Sequence, residues 1–286
     1  MTARVFDDRS CVLGEGPLWH PLRKQLYWFN ILDKKLLTRD SVSPREWTFE
    51  ETVSAAGWVD VNTVLMASAK GLWRLDLTDG NRTLVVSLEA ENALTRSNDG
   101  RADPWGGFWI GTMGYNAEPR AGAIYRYYRG ELRKLFPGIT ISNAICFAPD
   151  RSCAYFTDTP TRKVMKVPLD GDGWPDGAPT VLLDLTEEGL NPDGAVVDAD
   201  GNLWLAQWGA ARIAVYGSRG QFLKALDVPA AQVTCPAFGG SDLTTLYVTS
   251  ATEGLDAKAF DAMPNQGQTF EITGVAKGLP EPRVIL

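Results

Sequence analysis

The strongest constraint on this fold is a short apolar strand that recurs six times along the 286-residue chain. The copies are Leu26-Tyr27-Trp28, Val64-Leu65-Met66, Phe108-Trp109-Ile110, Ala154-Tyr155-Phe156, Leu203-Trp204-Leu205 and Leu246-Tyr247-Val248. Their middle residues, at positions 27, 65, 109, 155, 204 and 247, are 38, 44, 46, 49 and 43 residues apart. Each copy follows a polar turn, and units of this length with several antiparallel strands are typical of propeller blades. The repeat therefore predicts an all-β, six-bladed β-propeller with a central channel.

The propeller is expected to occupy residues 1–286 as a single domain, because no linker or low-complexity segment interrupts the repeat. Helical repeats fit poorly, since Gly and Pro punctuate the chain and β-branched and aromatic residues dominate between them. The stretch from Glu253 to Gln268 is the least strand-like and predicts a helical turn or an insertion. We expect Arg4-Val5-Phe6 and Arg283-Val284-Ile285-Leu286 to pair within one blade and close the ring.

Charge and composition argue against several classes of partner. The formal net charge is −7, which disfavours binding to a nucleic-acid backbone or to an anionic membrane surface. No apolar run approaches the roughly 18 residues of a membrane span, and the N-terminal residues lack the basic-then-apolar pattern of a secretory signal. The four cysteines are scattered and form no Cys-x-x-Cys pair, so we expect reduced thiols in a cytoplasmic protein.

The histidine content limits the chemistry further. His20 is the only histidine in the sequence, which excludes histidine-rich zinc sites and leaves one imidazole for any Ser-His-Asp triad. We expect His20 to be structural and the chemistry to use oxygen ligands.

One position of the blade repeat is polar in four of its six copies. Counting back 11 or 12 residues from the middle of the recurring strand reaches the start of the preceding strand, which in a propeller is the innermost one. The residues found there are Glu15, Asn98, Asn143 and Asp193, whereas the other two blades give Val53 or Ser54 and Cys235 or Pro236. If the register is right, the four polar side chains converge at one mouth of the channel.

Converging carboxylates repel each other unless a cation lies between them. Oxygen-only ligation suits a hard divalent ion such as Ca²⁺, Mg²⁺ or Mn²⁺, and Zn²⁺ or Fe²⁺ remain alternatives. The competing interpretation is that Asn-Asp-Gly and Pro-Asp-Gly are ordinary turn formers. Four coincidences at one blade position favour a shared divalent metal site.

At these residues the chain resembles the senescence marker protein/gluconolactonase/regucalcin family from about Cys11 to its end. The shared motifs are Leu13-Gly14-Glu15-Gly16-Pro17-Leu18-Trp19, Arg96-Ser97-Asn98-Asp99-Gly100, Gly111-Thr112-Met113, Ile141-Ser142-Asn143, Pro192-Asp193-Gly194 and Phe238-Gly239-Gly240. The family fold is a six-bladed propeller, which agrees with the repeat. One departure is Asn30, where relatives often carry Asp.

The resemblance also implies roles for individual residues. It implies one divalent metal (Ca²⁺, Zn²⁺, Mn²⁺, Mg²⁺ or Fe²⁺) held by Glu15, Asn143 and Asp193, with Asp193 also acting as the general base. It associates Arg96 and Asn98 with substrate binding. In relatives, the segment after Met113 supplies a further polar contact to the sugar, and here either Asn116 or Glu118 would fill that role.

The activity implied by the resemblance is hydrolysis of a sugar lactone to the aldonic acid. The lactone carbonyl gains negative charge as water attacks, which a divalent cation stabilises, while Asp193 accepts the proton of the water. Trp19, Trp58 or Trp208 could stack on a sugar face, although aromatics in propellers more often pack between blades. Two alternatives remain: a non-catalytic calcium-binding or regulatory propeller and, less favoured, a promiscuous ester or organophosphate hydrolase.

Overall fold

The computed structural model describes residues 2–40 and 43–286, and these form six antiparallel four-stranded sheets. Strand β1 (Arg4–Asp7) comes first in the chain but belongs to the last sheet. The first blade contains β2 (Gly14–His20), β3 (Gln25–Asn30), β4 (Lys35–Arg39) and β5 (Pro44–Thr48). The second contains β6 (Val53–Trp58), β7 (Thr63–Ser68), β8 (Gly71–Asp76) and β9 (Arg82–Ser87). The third contains β10 (Thr95–Ala102), β11 (Phe108–Gly114), β12 (Gly122–Tyr128) and β13 (Glu131–Ile139).

The remaining three blades follow the same plan. The fourth contains β14 (Ser142–Phe147), β15 (Cys153–Asp158), β16 (Lys163–Pro168) and β17 (Thr180–Asp184). The fifth contains β18 (Asn191–Val197), β19 (Leu203–Trp208), β20 (Arg212–Tyr216) and β21 (Phe222–Asp227). The sixth contains β22 (Gln232–Gly239), β23 (Thr245–Ala251), β24 (Thr269–Thr273) and, at its edge, β1. The first strands of successive blades contact one another in a closed ring, which confirms the predicted six-bladed propeller.

The recurring apolar strand is the second strand of every blade, and its alternation explains the packing between blades. Successive side chains of a strand point to opposite faces of the sheet. In β3, Tyr27 packs with Val64 and Met66 of the second blade. Its neighbour Trp28 is fully buried on the opposite face with Tyr247 of the sixth blade. One strand thus contributes to two interfaces between blades, which is why its residues are apolar without interruption.

The ring closes differently from the expected pairing of the two chain ends. Strand β1 completes the sixth blade by pairing with β24, with Val5 opposite Phe270. The expectation that residues 283–286 would be its partner was wrong. Those residues instead bridge the second and third blades, because Val284 N–H donates to the Trp58 carbonyl (2.9 Å) and Ile285 N–H donates to the Gly106 carbonyl (2.8 Å).

The described helices are short. A 3₁₀ turn covers Thr159–Thr161, and α1 (Ala257–Ala262) lies in the segment for which a helical turn was predicted. The side chain of Asp256 caps α1 by accepting a hydrogen bond from Ala259 N–H (3.0 Å). Within residues 2–40 and 43–286, no helix is long and apolar enough to cross a bilayer.

Candidate active site

The six innermost strands share a break in register near their first residues. In each case the antiparallel pairing with the second strand skips one or two residues: between Glu15 and Leu18, Val53 and Ala55, Ser97 and Gly100, Asn143 and Cys146, Pro192 and Ala195, and Val233 and Pro236. Breaks of this kind re-aim side chains and occur often beside functional sites. All four polar residues identified from the repeat lie in or directly beside such a break.

Five of the predicted site residues line one cavity of about 320 Å³. They are Glu15, Arg96, Asn98, Asn143 and Asp193, contributed by the innermost strands of four different blades. Each of them is no more than 5% exposed. The register inferred from the repeat therefore brings residues that are distant in sequence to one place.

A chain of hydrogen bonds orients the two carboxamides. Asn98 accepts a hydrogen bond from Nη1 of Arg96 (2.8 Å), and its Nδ2 donates to Oδ1 of Asn143 (3.1 Å) and to the Ser142 carbonyl (2.9 Å). Nδ2 of Asn143 donates to Oγ1 of Thr159 (3.0 Å), which in turn donates to the Pro192 carbonyl (2.8 Å). This series of hydrogen bonds connects the third, fourth and fifth blades and fixes the orientation of the two amide oxygens.

The carboxyl groups of Glu15 and Asp193 are buried without a cationic partner. None of the ion pairs in the described part of the chain involves either residue. Burial, reinforced by the charge of Asp99, raises the pKa of Glu15 to about 8, although a hydrogen bond from Gly16 N–H (2.9 Å) and the charge of Arg96 oppose the shift. Burial, followed by the charges of Glu15 and Asp99, holds the pKa of Asp193 well above its usual range.

Asp99 is a third buried acid that the sequence reasoning did not assign. Its Oδ2 accepts a hydrogen bond from Ile145 N–H (2.8 Å), and burial raises its pKa. The sequence placed it in the same Arg-x-Asn-Asp-Gly motif as Asn98, and this adjacency was the available clue. Thr159 was also missed, because it lies after the second strand of its blade, outside the repeat position that we compared.

The donor set fits a hard divalent cation. Two buried carboxyls that repel each other, together with an oriented carboxamide, supply oxygen atoms only, which is the chemistry that Ca²⁺ and Mg²⁺ prefer. Within the described ranges, no three His, Cys, Asp or Glu side chains are grouped so that they could hold a metal ion. The predicted ligand set is of another kind, with two carboxylates and one asparagine.

Arg96 is a buried guanidinium with unused hydrogen-bonding capacity. Its Nη1 donates to the Ser97 carbonyl (3.0 Å) and to Asn98, whereas Nε is buried without an acceptor. Burial lowers its pKa, which the charge of Glu253 and, next, that of Glu15 oppose. A cation left without an ion pair beside a cavity is suited to holding a polar ligand.

Asn116 and Glu118 form a pair of their own in an exposed turn. Nδ2 of Asn116 donates to Oε1 of Glu118 (2.9 Å), and its backbone N–H donates to Oε2 (3.1 Å). Hydrogen bonds from Asn116 lower the pKa of Glu118. Neither residue is among those that line the 320 Å³ cavity, although Met113 just before them is. Their contact with substrate stays a prediction.

The aromatic residues considered as sugar platforms lie in different places. Trp208 lines the cavity. Trp19 stacks on Tyr247 with 5.6 Å between ring centroids, and Nε1 of Trp58 donates to the Glu281 carbonyl (2.8 Å).

His20 is fully buried with Nε2 at 3.0 Å from the Asp60 carbonyl, in keeping with a structural role. All four cysteines are buried and unbridged.

Comparison with known proteins gives full-length relatives. The chain is 41% identical to the crystal structure of a calcium-binding protein, regucalcin, from Agrobacterium tumefaciens strain C58, with a TM-score of 0.97 and coverage of 100% of this chain and 98% of that one. It is 35% identical to the L-arabinolactonase of Azospirillum brasilense, over 94% of this chain and 90% of the relative. It is 34% identical to the 6-deoxy-6-sulfogluconolactonase of Pseudomonas putida, over 98% of both chains.

The family model described as the SMP-30/Gluconolactonase/LRE-like region matches residues 13–252, which include all seven predicted site residues. The match covers most of the chain and agrees with the motifs and with the propeller. This protein therefore belongs to the SMP-30/Gluconolactonase/LRE-like family.

Proposed function

We propose that this protein is an enzyme, a metal-dependent sugar lactonase that hydrolyses an aldonolactone to the corresponding sugar acid. Relatives named as lactonases match nearly the whole chain. The observation that carries the proposal is the composition of one cavity, which combines two buried carboxyls, two oriented carboxamides and an arginine without an ion pair. Such a cavity has groups for both a cation and a polyhydroxylated ligand.

Glu15, Asn143 and Asp193 are the residues that would hold the divalent cation. Their oxygen donors suit Ca²⁺, Mg²⁺ or Mn²⁺, and Zn²⁺ or Fe²⁺ are the further candidates. When bound, the cation would act as a Lewis acid that polarises the lactone carbonyl. The raised pKa values of Glu15 and Asp193 support the proposal, because a bound cation would stabilise the ionised forms of both buried carboxyls.

Asp193 is proposed as the general base. Its carboxylate takes a proton from water as the oxygen of that water forms a bond to the carbonyl carbon. The bond from this carbon to the ring oxygen then breaks, and Asp193 returns the proton to the departing oxygen, which becomes a hydroxyl of the open-chain acid. No covalent bond between enzyme and substrate is needed.

Arg96 and Asn98 are proposed to bind and orient the lactone. A guanidinium offers several directed N–H donors for hydroxyl or carbonyl oxygens. Asn98 holds Arg96 in place through its hydrogen bond to Nη1, so the two residues act as a unit. The indole of Trp208 at the same cavity offers an apolar face for the carbon skeleton of the sugar.

The direct test is acid release from a panel of five- and six-membered aldonolactones, corrected for spontaneous hydrolysis. We expect turnover that a chelator abolishes and that one of the five candidate metals restores. Asp193→Asn should lower kcat by at least about 100-fold, as expected for the loss of a general base. Wild-type turnover that is unchanged by complete metal removal would contradict the mechanism.

A non-catalytic calcium-binding protein is the second candidate, favoured by the regucalcin structure described as calcium-binding. The same ligand residues would serve it. Arg96 favours the enzyme, because a calcium-binding site has no need of a buried guanidinium in the same cavity. Tight Ca²⁺ binding without hydrolysis of any lactone in the panel would support this alternative.

We further propose that residues 1–286 act as a single domain in the cytoplasm. The six sheets follow one another without an intervening linker, which supports the first part. The net charge of −7 supports a small molecule, rather than a nucleic acid or an anionic membrane, as partner.

A further inference from the structure

Glu253 lies at the cavity in a position that its backbone fixes. It follows β23 by two residues, its N–H donates to the Val12 carbonyl (3.0 Å), and its own carbonyl accepts from Nε2 of Gln232 (3.0 Å). Glu253 is solvent-exposed, yet it lines the same cavity as Arg96 and Asp193. An exposed residue with an anchored backbone at the edge of a cavity is well placed to meet an entering ligand.

Neither Glu253 nor Arg96 has its charge matched by a contact within the described residues. The side chain of Glu253 takes part in no hydrogen bond there, and no ion pair of 4.0 Å or less includes either residue. Glu253 is nevertheless the acid whose charge acts most strongly on Arg96, ahead of Glu15. Both residues thus line the same cavity without forming an ion pair with each other.

A cavity lined by both an acceptor and a donor suits one kind of substituent. A hydroxyl can donate to a carboxylate such as that of Glu253 and can also accept from a guanidinium such as that of Arg96. A carboxylate or sulfonate has no proton to donate and would be repelled by Glu253. The charge of Glu253 therefore offsets the attraction that Arg96 would otherwise exert on an anion.

We propose that Glu253 is a specificity-determining residue that selects uncharged, hydroxyl-bearing lactones over lactones that carry an anionic substituent. The inference rests on the proposed lactonase function and extends it to the class of substrate. Sequence motifs did not identify Glu253, because it lies outside the innermost strands, in the segment that leads to α1.

The test is a comparison of two substrates of matched size, a hexono-1,4-lactone and the hexaro-1,4-lactone that carries a carboxylate at C6. We expect wild-type kcat/KM to favour the uncharged lactone. In Glu253→Gln, which keeps a hydrogen-bonding side chain of the same length, this preference should fall about tenfold, mainly through a lower KM for the anionic lactone. The wild-type preference should also weaken as salt is raised, since Glu253 is exposed.

Glu187→Gln is the matched control. Glu187 is an exposed glutamate on the loop that enters β18, and it does not line the cavity. The substitution changes the net charge equally and should leave the preference unchanged. A preference that stays within about twofold of wild type in Glu253→Gln, or that falls equally in Glu187→Gln, would overturn the inference. A wild-type protein that hydrolyses no lactone of the panel would instead refute the proposed function, and the inference with it.

Discussion

Two arginines on strand β10, the buried Arg96 and the partly buried Arg101, have opposite environments, although only five positions separate them. Arg101 forms an ion pair with Glu281 and also donates to the carbonyls of Ile145 (3.3 Å) and Ala195 (3.2 Å). Among the residues that the structure describes, Arg96 has no ion pair and its Nε has no acceptor. Other residues of the protein thus match the charge of Arg101 and accept its hydrogen bonds, whereas Arg96 lies in the cavity with Glu15 and Asp193.

The same contrast separates the two ends of the innermost strands. Near their first residues, Glu15 and Asp193 are buried and form no ion pair with any described residue, and burial followed by the charge of Glu15 raises the pKa of Asp193. Farther along, the C-terminal segment brings Glu281 to Arg101, so that charge is matched. Burying a charge without a partner is costly, so the unmatched groups at one end support the proposal that a cation and a substrate bind there. Substitutions at the two ends should therefore affect different properties.

The largest effect is expected at Asp193. Asp193→Asn should lower kcat by about 100- to 1,000-fold and weaken metal binding. It should not lower the free energy of unfolding in chelator, because the substitution removes a carboxyl whose ionised form is unfavourably buried. Lactone turnover and urea unfolding of the same preparation provide the two measurements. A variant that is inactive and also markedly less stable than wild type in chelator would contradict the claim that substitutions at this end of the strands affect function and not stability.

The two arginines can be compared through one substitution. Arg101→Met should lower the free energy of unfolding by about 3 kcal/mol, because it leaves the carboxylate of Glu281, whose side chain is only 8% exposed, without its partner. Arg96→Met should cost about 1 kcal/mol through lost hydrogen bonds but raise KM at least about tenfold. Urea unfolding and steady-state kinetics on both variants test this pair. Equal losses of stability, or an unchanged KM in Arg96→Met, would contradict the account.

Stability should depend on pH and metal together. The pKa of Glu15 in the folded, metal-free protein is about 8 instead of 4.5, so the folded state binds more protons than the unfolded state between these values. Metal-free stability attributable to Glu15 is thus full below about pH 4.5 and is lost as pH rises toward 8. We expect Tm in chelator to fall over this range by more in wild type than in Glu15→Gln, and metal to raise Tm more at pH 8 than at pH 5. Parallel curves for the two proteins would refute the assigned shift.

The smallest effect is expected at Asn116 and Glu118. Their side chains hydrogen-bond to each other in an exposed turn, so Asn116→Ala and Glu118→Ala should each change KM by no more than about threefold and leave the free energy of unfolding nearly unchanged. Steady-state kinetics on the best lactone of the panel measures this. A tenfold or larger rise in KM would show that the turn reaches the substrate during the reaction.

The sequence was sufficient for the blade count and for the convergence of Glu15, Asn98, Asn143 and Asp193. Both follow from periodicity, because equivalent residues of a closed repeat must face the same axis. The closure of the ring was predicted only in part. Arg4-Val5-Phe6 was expected to help to close it, but its partner is β24, because residues 283–286 make their backbone hydrogen bonds elsewhere.

Features that depend on contacts between particular residues of the folded chain could not be predicted from the sequence. The position of Glu253 depends on backbone hydrogen bonds to Val12 and Gln232, which no local pattern encodes. The sequence could not show whether Asn116 hydrogen-bonds to Glu118 or to the substrate, since either Glu118 or a sugar hydroxyl can accept its N–H. Asp99 looked like a turn residue and is instead a buried acceptor for Ile145.

The most direct test of the central claim is the location of the metal by anomalous diffraction from crystals soaked with Mn²⁺ at neutral pH. The account predicts one strong peak about 2.0 to 2.6 Å from carboxylate oxygens of Glu15 and Asp193 and from Oδ1 of Asn143. The peak should disappear in crystals of Asp193→Asn. A peak at another place on the propeller, or none at Mn²⁺ concentrations that support turnover, would contradict it.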